Sequence, residues 1–60
     1  MIDTKYLENM ANDIQKMRRL AEHLKKTGKD VESIDRNITR ILSSIRLLEM
    51  NVTDVSKIIH

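Results

Sequence analysis

The feature that most constrains this chain is an apolar stripe with alternating three- and four-residue spacing. It runs Met17, Leu20, Leu24, Thr27, Val31, Ile34, Ile38, Ile41, Ile45, Leu48, Val52, Val55 and Ile59, and only Thr27 is not apolar. A repeat every 3.5 residues draws a narrow apolar seam along a helix, and another helix must cover that seam. The chain is therefore built to hold helix against helix.

What else it could fold into is limited by what it lacks. The 60 residues include no cysteine, no proline, one glycine and a single aromatic residue, Tyr6. Disulfides and a Cys/His zinc site are thus excluded as staples, and a sheet or barrel is a poor match to this composition. A chain this short buries only a marginal core alone. Self-association, as a homodimer or higher oligomer, is the expected source of the missing stability.

Gly28 is the one clear punctuation mark, in Lys25-Lys26-Thr27-Gly28-Lys29-Asp30. Lysines in a last helical turn oppose the negative end of the helix dipole, and glycine suits a left-handed C′ position. Asp30 can then cap a following helix, as Asp3 or Thr4 can cap the first. The reading is all-α: helices over about 4–26 and 31–59, a turn near 27–30, and one domain over 1–60. The expected arrangement is an antiparallel hairpin of about 45 Å that self-associates into a four-helix bundle or coiled coil. The alternative is one continuous coiled-coil helix of about 90 Å, since an interior glycine costs only about 1 kcal/mol.

The width of the apolar faces favours the hairpin. The first helix carries Leu7, Met10, Ile14, Met17, Leu20, Ala21 and Leu24, which is broader than a two-position seam. The second adds Leu42, Leu47, Met50 and Ile58 outside its seam. Broad faces belong to bundles with several neighbours. With Met17 at heptad position a, the d positions of the second helix are Ile34, Ile41, Leu48 and Val55. β-branched residues at d disfavour a parallel dimer and favour three or four strands.

Chemistry has little to stand on. His23 and His60 are isolated, and no nucleophile–base or carboxylate pair stands at a helical spacing that would join it to either. No enzymatic activity, metal site or cofactor is expected. No signal peptide opens the chain and no apolar run is long enough to span a bilayer, so an intracellular, cytoplasmic protein is expected. The expected function is a protein–protein interaction module: an oligomerisation, adaptor or regulatory element that works by heptad packing. Its partners would be a second copy and another protein that offers a helical face. Ile34, Ile38, Ile41, Ile45, Leu48, Val52, Val55 and Ile59 are the candidate interface, and Leu42, Leu47 and Met50 a candidate second contact surface.

Charge supplies an alternative. Net charge is +2, but six basic residues face one acid, Glu22, between Lys16 and Lys29. Arg18, Arg19, Lys25, Lys26 and Lys29 flank the apolar face as a candidate anion-binding stripe. The plan of a basic-faced hairpin of this size resembles the Rop-type plasmid RNA-binding proteins, in scale and shape and without residue-level matches. That likeness implies nucleic acid as an alternative partner. The lack of aromatics weakens single-stranded recognition by stacking.

The stretch Gly28-Lys29-Asp30-Val31-Glu32-Ser33-Ile34-Asp35-Arg36-Asn37-Ile38-Thr39-Arg40-Ile41 resembles the middle of a Q-SNARE motif. There a glycine and an acidic residue precede an aliphatic layer, and further aliphatic layers follow. The resemblance implies a strand of a parallel four-helix bundle that drives membrane fusion. The family's central layer takes Gln or Arg, where this chain has Ile34, and no membrane anchor is expected after Ile59.

Overall fold

Two uninterrupted helices follow from two stretches free of glycine and proline. The computed structural model describes residues 4–59, with Ile59 as backbone only, so Asp3, His60 and the Ile59 side chain lie outside the described residues. α1 spans Thr4–Thr27 and α2 spans Glu32–Ile59, with no strand among the described residues. Lys25 and Lys26 stand in the last turn of α1, and Glu32 and Asp35 in the first turn of α2. Each set opposes the local end of its helix dipole.

The chain reverses at Gly28 and α2 packs back along α1, giving a hairpin 44 × 15 × 13 Å. Its radius of gyration is 14.0 Å, against about 10 Å for a compact chain of this length. The continuous helix is therefore replaced by the hairpin, at the length that folding back gives.

The turn differs in detail from the expectation. Gly28 does not adopt positive φ. Its N–H donates to the Leu24 carbonyl at 2.8 Å, continuing the helical ladder, and Val31 N–H donates to the Gly28 carbonyl at 3.0 Å. Glycine is needed here for space. A Cβ on residue 28 would stand 2.7 Å from Ile34 Cγ2 and 2.9 Å from the Leu24 carbonyl oxygen. The N-cap moves as well: Val31, rather than Asp30, precedes α2, and its carbonyl accepts the first bond from Asp35 N–H at 2.9 Å. Gly28→Ala is expected to force Ile34 outward and cost about 1–2 kcal/mol, the usual penalty of overpacking. Thermal melting of helicity, several degrees lower in the variant, checks this.

The core is one row from each helix. Leu7, Ile14 and Ala21 on α1, and Ile38 and Ile45 on α2, are 3–6% exposed, and Leu42 and Val52 pack against this core. The buried residues recur every seven positions. On α2 this is the expected a row. On α1 the phase is different: Met17, Leu20 and Leu24 are 42%, 67% and 48% exposed. The expected seam carried one heptad phase through residues 27–31, but the reversal at Gly28 breaks that phase. α1 then turns whichever row of its broad apolar face lies toward α2.

Candidate interaction surface

The two edges of the helix–helix contact differ. One step round from the buried row on one side stand Ala11, Arg18 and Lys25 on α1, and Asp35, Leu42 and Glu49 on α2. Basic side chains on one helix thus meet acidic ones on the other. Arg18 Nε and Nη2 donate to Glu49 Oε2 and Oε1 at 2.9 and 2.6 Å, a two-pronged pair. Lys25 Nζ lies 2.8 Å from Asp35 Oδ1 and donates to Thr39 Oγ1 at 2.6 Å. The Thr39 hydroxyl in turn donates to the Asp35 carbonyl at 3.0 Å. This edge is closed by complementary charge.

The opposite edge is open and apolar. It is formed by Met10, Met17 and Leu24 on α1, and by Ile34, Ile41, Leu48 and Val55 on α2. Ile34, Ile41 and Leu48 are 42%, 48% and 41% exposed, while Met10 and Val55 are half-buried. Toward the end of the hairpin away from the turn, the surface deepens into a groove of about 470 Å³. Leu7, Met10, Ile14, Leu48, Val52 and Val55 line it, with Asp13 and Asn51 as the polar members. The two described helices leave this apolar face uncovered along its length.

The structure therefore divides the candidate interface into two rows. Ile38, Ile45 and Val52 are used inside the hairpin, whereas Ile34, Ile41, Leu48 and Val55 form the open face. The candidate second surface is also divided. Leu42 packs on the core, while Leu47 and Met50 point outward, 60% and 53% exposed. Of the basic stripe, Arg18 and Lys25 hold acids of α2, and Arg19, Lys26 and Lys29 are exposed. Among the described residues no group of three or more His, Cys, Asp and Glu could hold a metal ion. His23 is exposed, and its carbonyl accepts from the Thr27 hydroxyl at 3.1 Å. No described helix is long and apolar enough to cross a membrane.

Sequence reasoning missed Glu49 and Asp35 as partners of the basic stripe. The signal was present: Arg18 and Lys25 are one heptad apart on α1, and Asp35 and Glu49 are two heptads apart on α2. Antiparallel packing brings two such rows of opposite sign together. The hydrogen bonds from Arg18 hold the Glu49 carboxyl below the usual carboxylate range; burial opposes them, and the charges of Arg18 and Arg46 add to them. The same bond raises the pKa of the Arg18 guanidinium. A carboxyl lowered by folding stabilises the fold above its unfolded value, and that contribution is lost as pH falls through the folded value. In thermal melts below about pH 4.3, the ordinary Glu value, the melting temperature should therefore drop less with falling pH in Glu49→Gln than in the parent chain.

Compared with protein-family models, curated proteins and solved structures, nothing matches this chain.

Proposed function

We propose that this chain is a non-enzymatic protein–protein interaction module that works by heptad helix packing through its open apolar face. The observation that supports the reading is the exposure of Ile34, Ile41 and Leu48, at 41–48%, along one side of a hairpin whose other side is closed by ion pairs. Contiguous apolar surface of this kind is uncommon on a monomer and marks contact sites. The face suits a helical partner, because its residues recur every seven positions and leave holes for knobs from a facing helix. Adaptor, oligomerisation and regulatory roles all use the same contact.

The test uses a photo-reactive residue at Ile41, with one at Ser43 on the outer side of α2 as the control, in cells that make the chain. A covalent adduct with protein from position 41 and none from position 43 is the expected result. If position 41 yields no protein adduct, the open face is not a docking surface and the reading fails.

A further inference from the structure

We infer that the occupant of the open face is a second copy of this chain, packed about a two-fold axis perpendicular to the hairpin's length so that the two Gly28 turns lie at opposite ends. The inference rests on the reading of that face as a protein-docking surface, and names its partner.

Area is the first argument. A folded monomer of 7.0 kDa exposes about 4,000 Å², whereas this hairpin exposes 5096 Å². The excess, about 1,000 Å², is close to the roughly 800 Å² that each partner buries in an interface of standard size. Consistent with this shortfall, no large side chain among the described residues is fully buried within the hairpin. A copy laid on the open face completes a four-helix core in which the buried and open rows of all four helices point inward.

The face is also compatible with itself. Self-association places each border row against the border of an identical chain, so a row of one charge would repel its own copy. The border residues Leu20, Thr27, Asn37, Ser44 and Asn51 are uncharged, and Asp13 is the exception. The charged pairs that join the two helices, Arg18–Glu49 and Lys25–Asp35, lie on the closed edge, which the dimer leaves undisturbed.

Charge along the hairpin sets the orientation. Residues 16–46, the half nearest the turn, carry nine basic and four acidic residues; the rest of the described chain carries two basic and four acidic ones. Turns at the same end would set two basic halves side by side. Turns at opposite ends set each basic half beside the acidic half of its partner, so the antiparallel dimer is favoured, most strongly at low salt.

The chain has no cysteine, so Lys29→Cys provides a single site in the turn for a nitroxide spin label. Sedimentation equilibrium of the labelled chain should give the mass of two 7.0 kDa chains. Pulsed electron–electron spin resonance should give a label separation close to the 44 Å length of the hairpin. A label separation within two helix diameters, roughly 20 Å, would mean turns at the same end and would overturn the orientation. A monomer at 100 µM, folded or unfolded, or a mass of three or more chains, would overturn the second copy as occupant. Since dimerisation and photo-adducts are read separately, a monomer that still forms adducts from position 41 rejects the second copy and leaves the docking surface standing. A Met50→Asp chain on the outer face, expected to keep the dimer mass, shows that an added charge alone does not dissociate it.

Discussion

Replacing Ile41 by Asp is expected to halve the mass of the particle while the hairpin persists. Ile41 is 48% exposed in the isolated hairpin, so a carboxylate there keeps contact with water and costs the monomer little. In the proposed dimer the same position would be covered on every side. A buried charge without a partner costs about 3 kcal/mol or more, and two-fold symmetry places two in each dimer. The expected loss of association is roughly four orders of magnitude. Sedimentation equilibrium, with circular dichroism at 222 nm on the same samples, reads both quantities. A dimer that survives the Ile41→Asp substitution at micromolar concentration would show that the open face is not the contact.

The second large effect concerns the closed core. Ile45 is 3% exposed and lies with Ile14 and Ala21 in the row that joins the two helices. Ile45→Ala removes buried methyl groups and leaves a cavity, at a cost of about 2–4 kcal/mol. A single core of this size supplies only about 3–5 kcal/mol, so most of the hairpin's own stability is removed. The melting temperature should fall by more than about 10 °C, judged by the usual sensitivity of a domain this small. Ile41→Ala is the comparison. Ile41 is 48% exposed in the hairpin, so its loss is expected to act mainly on association. Equal loss of monomer stability from both variants would mean that the division into closed and open rows is mistaken.

The two variants separate roles that the sequence presents as one. Ile41 and Ile45 belong to the same apolar stripe, with the same residue type and helical spacing. Periodicity identifies a face and cannot rank the rows within it, because each row becomes central only when a neighbour approaches it. With one helix on its surface, α2 buries Ile38 and Ile45 and leaves Ile34, Ile41 and Leu48 at the edge. The same logic explains α1, where Leu7, Ile14 and Ala21 were legible as part of a broad apolar face but not as its centre. The basic stripe was legible as charge and misleading as a set. Arg18 and Lys25 sit where α2 supplies Glu49 and Asp35, while Arg19 and Lys26 lie one position further round and are exposed.

By itself the sequence determined the class of fold and the lengths of its parts. A run of apolar residues at helical spacing, with neither proline nor cysteine, admits little other than long amphipathic helices, and its one glycine marks where they part. These are local properties, set by backbone propensity and by the 3.6-residue turn. The tertiary structure alone decided that Gly28 serves by making room for Ile34, that α1 faces α2 with the row Leu7, Ile14 and Ala21, and that one edge closes on Arg18–Glu49 and Lys25–Asp35. It also decided which isoleucines are left open. Each depends on how far α1 rotates about its own axis after the turn, and that rotation follows from packing between residues distant in the chain, which spacing along a single helix does not encode.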